Sequence, residues 1–207
     1  MTDRERVYFS PLPAGSTLTI AQRGFKTGDL ELVPGEGEVG RFAQGGDYVR
    51  ALQAKDGVVL LPSGGLKLSV PPGVRSLEIS LRGGAVRGAA MPGPMSIRTM
   101  GGEVALTQVL HPLDLRTMGG KVRLGLEPSL SGESTIATMG GSVELVVPDS
   151  LSLRVEAATM GGKIELDGER LSRDGGVVSL GPDGAAPQVT ARLKTTGGKV
   201  RLRRSRG

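Results

Sequence analysis

The sequence predicts an all-β fold: a parallel β-helix-like solenoid of coils about 18–21 residues long, with an atypical N-terminal cap. Three observations predict it. First, one phrase recurs almost unchanged: IRTMGGEVAL from Ile97, LRTMGGKVRL from Leu115, IATMGGSVEL from Ile136 and EAATMGGKIEL from Glu156, with a looser copy, LKTTGGKVRL, from Leu193. Second, apolar residues alternate on both sides of the Gly-Gly pair, and alternation places successive side chains on opposite faces of a strand. Third, the second glycines of the pairs, Gly46, Gly65, Gly84, Gly102, Gly120, Gly141, Gly162, Gly176 and Gly198, follow one another at steps of 19, 19, 18, 18, 21, 21, 14 and 22. A period near 19 is too long for a hairpin and too short for a propeller blade, but it suits one coil of a stacked solenoid. The last two steps predict that the pair at Gly175 and Gly176 is a displaced corner.

Taken in order, residues 1–50 read as an N-terminal cap with degenerate first coils, and residues 51–207 as the solenoid repeat region. All five aromatic residues (Tyr8, Phe9, Phe25, Phe42 and Tyr48) lie in the first segment, so it packs differently from the rest. STLTI at Ser16–Ile20 and GDLELV at Gly28–Val33 read as short strands, the second as a degenerate coil. Tyr48–Leu52, Gly57–Leu61, Leu66–Val70 and Leu77–Leu81 also read as strands, the third stopping at Pro71-Pro72. From Met95 the coils are regular. Inward positions before each corner are Ile97/Thr99, Leu115/Thr117, Ile136/Thr138, Ala157/Thr159 and Leu193/Thr195; after it they are Val104/Leu106, Val122/Leu124, Val143/Leu145, Ile164/Leu166 and Val200/Leu202. Outward positions carry Arg98, Glu103, Arg116, Lys121, Arg123, Glu144, Lys163 and Glu165. No segment has a capped helical period. A lone coil cannot bury enough aliphatic surface to hold its shape, so each must complete its neighbour's interior.

Composition narrows the function. There is no run of 18 apolar residues and no apolar stretch after the charged MTDRERVYFS start, so a cytoplasmic protein, peripheral at most to the inner membrane, is expected. Cysteine is absent, which excludes thiol catalysis, disulfides and cysteine metal sites. Asparagine is absent and glutamine occurs five times, which fits a thermophilic source or a GC-rich genome. The net charge of +5 is concentrated at the end: from Arg192 onward there are seven Lys/Arg and no acid.

The stretch LKLSVPPGVRSLEISLRGGAVRG, followed by repeated L-x-T-x-G-G-x-V-x-L, resembles the bacterial candidate-adhesin family of β-strand repeats, a solenoid-forming domain of unknown function. The resemblance runs from Ser16 to Leu202 and implies a parallel β-helix-like fold without enzymatic activity, in proteins often tied to the cell envelope.

Candidate sites follow from the repeat. The corner glycines are Gly101, Gly102, Gly119, Gly120, Gly140, Gly141, Gly161, Gly162, Gly197 and Gly198. Strands rather than helices follow them, so they are read as bends and not as phosphate cradles. None of these turns carries the acid that a calcium-binding solenoid needs. The threonine column is expected to bond a neighbouring coil or the corner backbone. Met100, Met118, Met139 and Met160 fall on the outward phase just before the bend; they are either covered by a neighbouring segment or form a ridge for a protein partner or for self-association. The basic end (Arg192, Lys194, Lys199, Arg201, Arg203, Arg204 and Arg206) is read first as protection of an open strand edge. Contact with an anionic lipid surface is the alternative. Without interleaved aromatics, nucleic acid is a poorer fit. His111, the one histidine, and the scattered carboxylates show no catalytic or metal spacing. No cofactor and no small-molecule substrate is expected. The sequence therefore points to a non-enzymatic scaffold or interaction module, or alternatively to an envelope-associated stress or adhesion module.

Overall fold

A computed structural model describes residues 15–22, 28–35, 41–43, 49–54, 57–62, 64–182 and 186–205. Of the five aromatics, only the backbone of Phe42 falls within them. Twenty strands and no helix occur among the described residues. They form two sheets, and the chain alternates between them through most of its length. The first sheet holds β1 (Thr17–Ala21), β4 (Val49–Ala54), β5 (Gly57–Pro62), β7 (Ser76–Leu81), β9 (Met95–Thr99), β11 (Leu113–Thr117), β13 (Gly132–Thr138), β15 (Leu153–Met160), β18 (Gly175–Leu180) and β19 (Val189–Thr196). The second holds β2 (Leu30–Pro34), β3 (Arg41–Ala43), β6 (Leu66–Val70), β8 (Val86–Ala89), β10 (Val104–Val109), β12 (Val122–Leu126), β14 (Val143–Pro148), β16 (Lys163–Leu166), β17 (Glu169–Ser172) and β20 (Lys199–Ser205).

Each coil is one strand in each sheet, and successive layers pair in parallel, as a solenoid requires. Inward residues queue in straight rows. In the first sheet, Leu60, Ile20, Ile79, Ile97, Leu115, Ile136, Leu193 and Ala157 are aligned layer upon layer. In the second, the row is Leu66, Leu30, Val86, Val104, Val122, Val143, Val200 and Ile164. All sixteen are buried in one continuous core. The alternation seen in the sequence is the cause: every second residue meets the facing sheet, and aliphatic side chains fill the narrow space between them. The glycine pairs form one corner of each regular coil. At the opposite corner Pro94 and Pro112 stand immediately before β9 and β11, and Pro148 is the last residue of β14, positions where a residue that cannot donate to a ladder is tolerated.

The stacking order is not the chain order at either end. In the first sheet the order is β18-β15-β19-β13-β11-β9-β7-β1-β5-β4, and in the second β17-β16-β20-β14-β12-β10-β8-β2-β6-β3. The first coil (β1/β2) is tucked between β5/β6 and β7/β8, and the last coil (β19/β20) between β13/β14 and β15/β16. Beyond the outer coils the chain runs backwards. β3 and β4 pair antiparallel to β6 and β5, while β17 and β18 pair antiparallel to β16 and β15. At the C-terminal end the reversal is made by Asp167 and Gly168, both with positive φ (50° and 92°), the signature of a two-residue hairpin turn. The pair at Gly175 and Gly176 is therefore not a displaced corner but the start of the reversed strand β18.

Candidate interaction site

The corner glycines stack, and the two members of each pair do different things. A Cβ added to Gly102, Gly120, Gly141, Gly198 or Gly162 would lie 1.6–1.9 Å from the carbonyl oxygen of the glycine one layer away. Only hydrogen fits there, so the layers close to the spacing their ladders demand. Gly101, Gly119, Gly161 and Gly197 have open space around them. Gly161 and Gly197 are still constrained, by φ values of 76° and 80°.

The threonine column secures the same corner. Thr99 and Thr117 donate to the carbonyls of Gly101 and Gly119 in their own turns, at 2.6 and 2.5 Å. Thr195 and Thr159 donate one layer across, to Gly141 and Gly198, at 3.2 Å each. Thr138 is buried and its hydroxyl has no partner.

This corner holds the methionines in a line on the outer surface. Met100, Met118, Met139 and Met160 are 59, 53, 62 and 74% exposed, so no described segment covers them. Because the last coil is inserted, Thr196 occupies the layer between Met139 and Met160. The methionines line a groove of about 940 Å3 along the stack. Beside them, on the same outward phase, runs a row that includes Arg98, Arg116 and Lys194. Arg116 has its Nε 3.5 Å from Asp114. Arg98 and Lys194 have no carboxylate partner among the described residues, and the only acid in the groove lining is Asp174, at its far end. The floor is soft and apolar, and the flank is cationic.

The basic end is placed elsewhere than expected. β20 lies inside the second sheet, between β14 and β16, and guards no edge. Its arginines are paired: Arg201 with Glu165 at 3.3 Å, Arg203 with Glu144 at 3.3 Å and Arg204 with Asp167 at 2.7 Å. On β19, Arg192 binds both Glu133 and, at 3.2 Å, Glu156. These pairs join the inserted coil to the coils on either side. Lys194 and Lys199 have no such partner among the described residues, and Arg206 lies outside them. The tucked first coil is joined similarly, by Glu31–Lys67 at 2.8 Å and Asp29–Arg87 at 3.0 Å.

The carboxyls respond to these cations. Burial pushes the Glu144 carboxyl up, but the hydrogen bond from Lys121 and the charges of Arg203, Lys121 and Arg123 outweigh it and hold the group below its usual range. Hydrogen bonds from Arg192 and Arg154 lower Glu156, and the hydrogen bond from Lys163, helped by Arg201, lowers Glu165. Each of these carboxyls faces a cation on a neighbouring layer of its own sheet. No cluster of three metal-ligating His, Asp or Glu side chains occurs among the described residues.

The sequence located the methionine column but left its exposure open. It did not assign the cationic flank, although Arg98 and Arg116 stand two residues before Met100 and Met118, the spacing that puts both on one face. It also missed the Asp167-Gly168 reversal, for which the Asp-Gly pair after an alternating strand was the available signal.

No family model matches the chain, and no curated protein matches it. Two solved structures do. One is a candidate cell adhesion protein from Clostridium sporogenes, 13% identical, covering 98% of this chain and 99% of its own, with a TM-score of 0.53. The other is a candidate adhesin from Bacteroides fragilis, 11% identical, covering 96% and 95%, with a TM-score of 0.46. The first likeness is one of fold.

Proposed function

We propose that this chain is a non-enzymatic interaction module whose methionine groove docks an acidic amphipathic helix of a protein partner. The observation that carries the reading is the column of four methionines, each more than half exposed, set beside Arg98 and Lys194, which have no carboxylate partner among the described residues. Methionine is flexible and polarisable, and surfaces rich in it adapt to apolar partners. The occupant is a helix because the groove lies on the surface of a sheet. The strand backbones beneath it are already paired within the ladders, so an added segment must satisfy its own N–H and C=O groups. Four layer steps separate Met100 from Met160. At ~4.8 Å per step this is about 19 Å, the length of roughly 13 helical residues. Arg98 and Lys194 favour acids flanking the apolar stripe.

The description of the Clostridium structure as a candidate adhesion protein supports a contact role over an enzymatic one. The envelope alternative, contact of the basic end with anionic lipid, is less well supported because Arg192, Arg201, Arg203 and Arg204 already face carboxylates.

The test uses two labelled helical peptides with the same leucine stripe, flanked by glutamate in one and by lysine in the other, titrated by fluorescence anisotropy. The glutamate peptide is expected to bind and the lysine peptide not, with Met118→Lys plus Met139→Lys abolishing binding. Equal binding of both peptides, or none, contradicts the reading.

A further inference from the structure

The C-terminal end of the stack leaves a strand edge open. β18 and β17 are the last strands of their sheets. One edge of β18 pairs with β15, and among the described residues no strand covers the other. Native sheets guard such edges with charge, proline or bulges. The six residues of β18 (Gly175, Gly176, Val177, Val178, Ser179 and Leu180) include none of these guards. Val177 is 56% exposed, and Leu171 on β17 is 47% exposed. The arginine-rich strand that the sequence offered as a guard is buried two layers inside.

We propose that this end is a self-association surface, with β18 of one copy pairing antiparallel with β18 of a second copy. Three features select a second copy. An uncharged strand meets itself without repulsion. The neighbouring edge, β17, carries one acid and one base, Glu169 and Arg170, and so is neutral too. Both sheets also end at the same level, so a two-fold axis normal to them brings β18 onto β18 and β17 onto β17 together, in an isologous contact that closes. Directly opposed residues in an antiparallel pair share a face. Val177 points outward, so pairing it with Val177 of the second copy keeps the alternation on both sides. The contact is independent of the methionine groove.

Sedimentation of the 207-residue chain over a wide concentration range tests this. The wild type is expected to pass from monomer to dimer and no further. Val177→Lys should weaken dimerisation by tenfold or more while circular dichroism shows it folded, and Met118→Lys plus Met139→Lys should dimerise as the wild type does. Because the protein has no cysteine, Val177→Cys offers a second readout: oxidation should give a covalent dimer. A wild type monomeric throughout, a Val177→Lys variant that dimerises unchanged, or growth past the dimer overturns the proposal.

Discussion

The middle coils and the C-terminal end obey the same local rules and reach different topologies. From Met95 to Pro148, chain order and stacking order coincide: β9/β10, β11/β12 and β13/β14 lie in sequence, each glycine corner seated on the one before. At the C-terminal end the next coil in the chain is held one layer away, and the last coil fills the gap. The inserted coil nevertheless pairs Thr195 with Thr138 on one side and Thr159 on the other, and Val200 with Val143 and Ile164. The repeated phrase thus specifies register and depth in the core, but any copy can lie beside any other. The changed order goes with the reversal at Asp167-Gly168 and with arginines of the inserted coil, Arg192 among them, that reach carboxylates on both sides, whereas the middle coils are bridged by Lys121–Glu144 and Arg123–Glu103. The comparison predicts that the corner glycines matter wherever a copy is placed, whereas the carboxylate–arginine contacts matter most at the end.

The largest effect should come from the corner. Gly120→Ala places a Cβ 1.8 Å from the Gly102 carbonyl oxygen at a φ of 88°, so the layers must part. A loss of about 3 kcal/mol or more is expected in chemical denaturation. Gly119→Ala, next to it, meets open space without a positive φ and should stay within about 0.5 kcal/mol of wild type. Equal effects of the two substitutions would remove the stacking account of the corner.

Acid should separate the regions next. Glu144, Glu156 and Glu165 are held below the ordinary carboxyl value of 4.5. Groups lowered in the folded state add stability that is complete above that value and lost as pH falls through the lowered ones. Hydrogen exchange from neutral pH to below pH 4.5 should show β19 and β20 losing protection before β9 and β11. Glu156→Gln plus Glu165→Gln should flatten this difference; an unchanged profile would show that the pairs do not hold the inserted coil.

The smallest effect concerns a hydroxyl. Thr138 is buried without a hydrogen-bond partner, whereas Thr159 donates to Gly198. Thr138→Val should therefore stabilise the protein by about 1 kcal/mol, and Thr159→Val should cost about as much. Thermal melts of the two variants should move in opposite directions.

Much of this was legible in the sequence because alternation and the Gly-Gly period report directly on face and corner. Ile97, Leu115 and Ile136, and Val104, Val122 and Val143, stand in rows because a strand pleat offers each of them one inward direction. The place of LKTTGGKVRL was not legible, since its phrase fits any layer equally well. Only long-range pairing, such as Arg192 with Glu133 and Glu156, distinguishes the slot it occupies. The exposure of the methionines depended in turn on whether another segment crosses the corner, which no local pattern encodes.

Because the chain lacks cysteine, paired substitutions read the stacking order directly. Ala137 and Lys194 are register partners on adjacent strands, with Ala158 one layer further on. A disulfide spans Cα atoms up to about 7 Å apart; adjacent strands are ~4.8 Å apart and alternate layers roughly 9.6 Å. Under mild oxidation Ala137→Cys plus Lys194→Cys should form an intramolecular bond, and Ala137→Cys plus Ala158→Cys should not. The reverse result would place the coils in simple chain order and contradict the account.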